Sequence, residues 1–435
     1  MVGAHCVSSF GSAVVAFAFT YLSYTISGSL AVSVLVMALH AVPSPLLIKP
    51  ATAIAQKYDL RLVLAVFGAA KSALFFAVAF VVWRGGDSLT LLLVTSLASG
   101  ILGALMFPSR SAHLRAIAPE GQIASLDGLL NSTQALAGIV GALAGGVMLA
   151  SWGAAALFLV NSVCLLFPVA VLLAAAPVFL DAQARTRTSM GAVLRTVRAT
   201  DALRRFVIIA IVLELIAWPL LNLLPKMAQD VDASPEAFSF LLAAFYIGSA
   251  LVEPVLTWRQ RTLSLRTIAT VALCILTVAL LLVAANPLIP AGALRLAAIL
   301  MVLIPVGLSM SMAGTVATAA IQSGAPESQA AETMAVHGAA VTVLAPIGGL
   351  LVATLAGAIG LWGVVAVEAV GIAALALALL TPRIRADLAQ VDALGPEVVS
   401  EAHAGRILGG HGPTAEHTEI VVDEPSRNIK GPTGA

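Results

Sequence analysis

Apolar residues run through this chain in blocks of nineteen or more, separated by short polar breaks. A helix that crosses a bilayer needs about 20 mostly apolar residues. Runs of that kind lie at 7–26, 30–55, 62–83, 89–107, 123–150 and 154–178, then at 206–225, 237–258, 267–285, 293–320, 333–354 and 362–380. The pattern predicts an all-α membrane protein with twelve transmembrane helices in two parallel six-helix halves. The N-terminal half takes residues 1–180, a cytoplasmic central loop 181–205 and the C-terminal half 206–382. The first run lacks the basic start and small-residue cleavage site of a secretory signal, so it reads as a retained helix.

Composition agrees. Of 435 residues, 60% are hydrophobic and 10% charged, with a mean hydropathy of +1.01. An ordinary soluble domain carries about 25% charged residues, so lipid must serve as solvent for much of this surface. Cys6, Cys164 and Cys274 lie far apart and suggest neither a disulfide framework nor a metal site. From residue 383 onward there is no aromatic residue and the chain is rich in Gly, Pro, Asp and Glu. That tail, 383–435, is expected to be disordered, and its three histidines match no ligand spacing.

The basic residues orient the chain. With the N-terminus inside, fifteen Lys and Arg fall in cytoplasmic loops and only Arg84, Lys226 and Arg295 fall outside. Both termini are therefore expected to face the cytoplasm, in a multi-pass protein of the cell inner membrane. The halves also repeat. APEGQIA (118–124) enters the fifth span and APESQAA (325–331) the eleventh, and each is followed by a Gly-Gly pair, Gly145-Gly146 and Gly348-Gly349. Duplicated six-helix units are a transporter plan.

The fifth span spends four glycines in the nine residues 138–146, although each costs a helix about 1 kcal/mol relative to alanine. Asp127, Asn131, Gln134, Gly138, Gly141 and Gly145 recur at three- and four-residue spacing. That spacing predicts one stripe, polar at its inner end and bare backbone beyond. It either packs a neighbouring helix closely or lines the boundary between the halves.

Gly141-Ala142-Leu143-Ala144-Gly145-Gly146 resembles the antiporter signature of the major facilitator superfamily, a Gly-Pro-x-x-Gly-Gly run in the fifth helix, with alanine in place of proline. More widely, residues 108–146 and 26–61 resemble the branch that contains enterobactin exporters and macrolide efflux pumps. The likeness extends over about residues 5–382 as architecture, with specific motifs in the first half only. It implies the major facilitator fold, with export as the direction of transport. The superfamily's Gly-x-x-x-Asp-Arg loop between helices two and three reads Thr52, Gln56 and Lys57 here, so its latch carboxylate is gone. Asp59 and Glu120 are the nearby acidic substitutes. The early acidic residue of that branch is Ser12. Gln56, Lys57, Arg61 and Arg110 are the inner-gate candidates.

Ionisable groups within the bilayer are costly and are functional candidates by default. Lys71 lies mid-way along the third span, where the exporter branch carries an arginine. It reads as a cavity residue, although third helices sit outside the core in this superfamily. Lys49 either snorkels or faces the cavity. Glu214, Trp218 and Asn222 fall at i, i+4 and i+8 on the seventh span, and Tyr246, Ser249 and Glu253 at i, i+3 and i+7 on the eighth. These are either satisfied interhelical contacts or the wall of a wet cavity. Burial disfavours an ionised carboxylate, which suits such a group to take up and release a proton. Glu214, Glu253 and Asp127 are thus proton-coupling candidates, and Lys71, Asn131, Gln134, Trp218, Asn222 and Tyr246 substrate-cavity candidates. Glu368 in the last span reads as peripheral, and His40 and His337 as packing residues.

No phosphate-cradling G-x-x-x-x-G-K-[ST] loop occurs, and the central loop is too short for a nucleotide-binding domain. No nucleophile–base pair, cofactor site or nucleic-acid motif appears either. The expected function is secondary active, proton-coupled export of a small, partly apolar organic molecule. The alternatives are a dedicated exporter of one metabolite, such as a siderophore, or a non-transporting scaffold acting through its tail.

Overall fold

A computed structural model of the protein describes residues 2–86, 88–117, 123–174, 178, 190–231, 234–259, 264–290, 292–325, 330–382, 384 and 386–388. Among these residues there is no strand, and twelve segments are long and apolar enough to cross a membrane. The first half comprises α1 (Val2–Ser27), α2 (Leu30–Ala41), α3 (Pro43–Lys57), α4 (Leu60–Trp83), α5 (Leu89–Ile117), α6 (Ile123–Trp152) and α7 (Ala154–Ala174). A short helix, α8 (Met190–Ala199), lies in the central loop. The second half comprises α9 (Asp201–Ile216), α10 (Leu220–Val231), α11 (Pro235–Ala250), α12 (Val252–Arg259), α13 (Leu265–Ala284), α14 (Ala293–Gly324), α15 (Ala330–Ile359) and α16 (Leu361–Leu379). Large apolar side chains occupy both the interior (Phe17, Phe75, Phe158, Phe245) and the outer surface (Val66, Phe76, Met301, Val370). A lipid-solvated bundle has that distribution, because lipid and interior are equally apolar.

Three spans bend, each where proline removes a backbone donor. Pro43 and Pro45 follow the break between α2 and α3 at Val42. Pro254 follows the break between α11 and α12 at Leu251. The seventh span breaks at residues 217–219, where Leu220 donates to Ala217 and Asn222 to Pro219 through three-residue turns.

The duplication survives in the packing. Gly100 of α5 lies so close to the His40 backbone of α2 that no Cβ would fit, and Gly307 of α14 lies the same way against the Phe245 backbone of α11. The two glycines are 207 positions apart and their partners 205, close to the offset of the loop repeat. Gly248 of α11 returns the contact on the Ile304 carbonyl of α14. Backbone-to-backbone packing of this kind gives TM helices their tightest approach. In the first half, α4 and α7 are joined by Ser72 and Ser162, each hydroxyl donating to the other's carbonyl at 2.8 Å.

The halves meet through α1, α2 and α6 on one side and α10, α11 and α15 on the other. α6 against α11 is the most extensive of these contacts. Phe238 of α11 stacks on Tyr21 and Phe17 of α1 at ring separations of 5.5 and 5.0 Å, and Gly349 of α15 packs on Val34 of α2. All these lie toward the end where α1 finishes. At the opposite end α3 and α12 make no substantial contact with the other half among the described residues. Among the described residues the bundle is therefore closed at the far end and open at the end where α1 begins.

The first residues of the tail, expected to be disordered, are instead packed. Arg205 of α9 grips Asp387 with two hydrogen bonds of 2.6 and 2.9 Å, and Leu388 is buried in the second half's core. An apolar residue beside a bidentate carboxylate extends the fold a turn beyond the compositional boundary. Residues 389–435 and 181–189 lie outside the described residues.

Candidate functional site

The stripe expected over Gly138, Gly141 and Gly145 meets two neighbouring helices, not one. Gly141 and Gly145 face α1, where an added Cβ would stand 2.5 Å from Cβ of Ala13 and 2.9 Å from the Phe17 ring. Gly138 and Gly146 face α11, across the seam: Gly138 lies on the Tyr246 ring and Gly146 on Ser239 and the Pro235 carbonyl. The helix is wedged between two neighbours, and successive residues turn by about 100°, so the glycines divide between them. Ala142, in the motif's proline position, is 1% exposed. Gln134 continues the stripe toward the open end and is exposed. The side chains of Asp127, Asn131 and Glu253 lie outside the described part of their helices.

Glu214 is buried at 8% exposure, one turn before the seventh span breaks. Trp218 sits within that break, with its indole edge toward Phe245 and its buried Nε1 without a hydrogen-bond partner. The face expected over Glu214, Trp218 and Asn222 presumes a continuous helix. Pro219 interrupts it, so Asn222 starts a new direction and its amide approaches Gly349 of α15. Discontinuous helices at mid-depth are where transporters place substrate and coupling-ion sites. On α11, Ser249 pairs with Ser311 of α14 at 2.9 Å, while Tyr246 turns to the seam.

Glu368 corrects its sequence reading as peripheral. It is 3% exposed, and neither carboxylate oxygen has a hydrogen-bond partner. Its helix, α16, packs extensively on α13, which the position of the last span along the chain does not reveal.

The inner-gate candidates stand apart at the open end. Gln56 and Lys57 are exposed, with Lys57 Nζ 5.4 Å from the Tyr58 ring centroid. Asp59 works inside the first half: it accepts from the backbone N–H of Arg61 at 3.0 Å and of Val178 at 3.2 Å, and pairs with the Arg61 guanidinium at 3.3 Å. A carboxylate at a helix start is favoured by the free N–H groups there. Arg110 Nη2 lies 2.6 Å from Nδ1 of His5 on α1. Lys71 points inward from α4 toward Gly103 of α5, half-buried. His40 bonds Ser99 at 2.9 Å, which fits its reading as a packing residue. Among the described residues no group of three or more His, Cys, Asp and Glu is arranged for a metal.

Comparison with known proteins bears on this arrangement. The family model described as transmembrane secretion effector matches residues 2–404. The chain belongs to that family, within the major facilitator superfamily. No curated protein sequence matches it. Among solved structures, the transporter is similar to a bacterial homologue of the human lysosomal transporter Spinster in an inward-facing, unoccupied conformation. That match has a TM-score of 0.64 and 14% identity, over 95% of this chain and 97% of that one. The nucleoside transporter NupG aligns with a TM-score of 0.65 and 12% identity, over 87% and 97%. A bacterial homologue of the iron transporter ferroportin, also inward-facing, aligns at 0.64 and 13%, over 87% and 96%. Identities this low establish a shared fold and leave the substrate open.

Proposed function

We propose that the chain is a secondary active exporter that couples proton entry to release of a small, partly apolar organic molecule, by alternating access. One observation carries the reading: among the described residues the halves close on each other at the far end, and a buried carboxylate, Glu214, stands one turn before a broken helix. If the basic loops mark the cytoplasmic side, the open end faces the cytoplasm, where an exporter loads its cargo. In the glycine contacts of α6 with α11 only α11 supplies side chains, which leaves a seam on which one half can rock against the other. Glu214 carries the proton, and Trp218, Asn222 and Tyr246 line the path beside it. Outward direction and the efflux branch are supported by the motifs in residues 26–61 and 108–146. The family's description as a secretion effector agrees with them.

Accumulation of lipophilic drugs and dyes in energised, efflux-deficient cells tests this reading. Cells with the transporter should accumulate less of at least one compound, and a protonophore or Glu214→Gln should abolish the difference. Equal accumulation across the panel, with expression confirmed, would overturn proton-coupled drug efflux.

A further inference from the structure

Four basic side chains from four different elements converge inside the first half. Arg110 (α5) and His5 (α1) meet at 2.6 Å at the open end, and Arg110 is exposed there. Lys71 is the twelfth of the 24 residues of α4, so it sits at the middle of its span. Its Nζ lies beside Gly103, two turns along α5 from Arg110, about 10 Å by helical rise. His40 packs by its backbone on Gly100, one turn of α5 from Gly103, and its Nδ1 bonds Ser99.

None of the ion pairs among the described residues involves Lys71 or Arg110. Arg61, Arg204 and Arg205, in contrast, each have an aspartate within 3.3 Å. Two positive charges along one face of α5 repel, and an oxyanion placed between them would be attracted by both. Guanidinium and ammonium donors are also the groups that hold carboxylates and phosphates best. Arg110 is exposed, so such a group would meet it first, with Lys71 deeper in the span.

We propose that this cluster recognises an acidic group, a carboxylate or phosphate, on the otherwise apolar molecule that the transporter carries. The proposal rests on the export reading and narrows its substrate class. An anionic lipid headgroup has the same chemistry, but headgroups stay at the interface, about 15 Å from the midplane that Lys71 occupies. The occupant assigned here is therefore the cargo.

Equilibrium binding to the purified full chain, in detergent free of anionic lipid, tests the assignment without any gradient. The probes are four compounds with one ring system: 2-naphthoic acid, 1-naphthyl phosphate, naphthalenemethanol and naphthalenemethylamine. The two acids should bind more tightly than the alcohol and the amine. Lys71→Gln and Arg110→Gln should each weaken the acids about 10- to 100-fold, and Lys71→Arg should retain most of the affinity. Unchanged alcohol binding and melting temperature in these variants would show that they fold. Equal binding of acid and alcohol, absent acid binding, or acid binding indifferent to both glutamine variants would each overturn the proposal. So would phosphatidylglycerol retention that depends on Lys71 without acid selectivity, which would make this a lipid site. Acid binding that persists while protonophore-sensitive efflux is absent would overturn the coupling mechanism alone.

Discussion

Gly138 lies flat on the ring of Tyr246, with three ring carbons each 3.4 Å from where a Cβ would sit. The two residues belong to opposite halves, so this contact exists only while the far end is closed. A leucine at 138 would force the ring aside, at about 1–3 kcal/mol for overpacking. A cost of that size, confined to one conformation, shifts the balance of states about 5- to 150-fold. Gly138→Leu should therefore impair efflux while the protein still inserts and folds. Adding Tyr246→Gly, which vacates the space, should restore much of it; efflux assays at matched expression check both.

Gly141 presents a different case. Its neighbours, Ala13 and the Phe10 carbonyl, belong to α1 of the same half. Gly141→Leu should lower the melting temperature in every state of the transport cycle, and transport should fall with it. Ala13→Gly in the same chain should recover part of the loss. Normal stability with blocked transport would mean that α1 and α6 slide past each other after all.

Glu214→Gln keeps the shape of the side chain and removes its titration. Efflux should lose its response to a protonophore, while equilibrium binding of a neutral cargo stays within a few fold. Purified protein in vesicles with an imposed proton gradient gives the direct measurement: the gradient should drive transport in the parent chain and not in the variant.

Arg205 and Asp387 form a bidentate pair, 28% and 11% exposed. Replacing either partner alone, Arg205→Gln or Asp387→Asn, should cost about 1–3 kcal/mol, since a hydrogen-bonded charge loses its counterpart. The cost is toward the lower figure because water still reaches the arginine. Thermal unfolding of the two single variants and the double variant checks it, and the double variant should be less destabilised than the sum of the singles.

Apolar run length carried the twelve spans into the structure almost unaltered, because a bilayer leaves helices little freedom in length. Bends were less legible. Pro219 was visible, but the face drawn through Glu214, Trp218 and Asn222 assumed that a helix would run through it. The glycine stripe was readable as periodicity, yet spacing cannot say whether one neighbour or two will fill it. Glu368 shows a further limit: a carboxylate's burial depends on which helices flank its own, information that lies in distant segments. His5 was silent in the sequence for the same reason, since its partner is 105 residues away. Lys71 was readable from its depth alone, but the convergence of Arg110 and His40 near it was not.

The paired glycine clamps, Gly100 on His40 and Gly307 on Phe245, have a mechanical consequence. Where backbone meets backbone with no side chain between, two helices have no compressible layer and shear as one plate. Each half is thus a stiff lever, and displacement deep within it is not absorbed locally. A displacement of α5 should therefore carry α2 with it, and one of α14 should carry α11, which bears Phe238 at the seam.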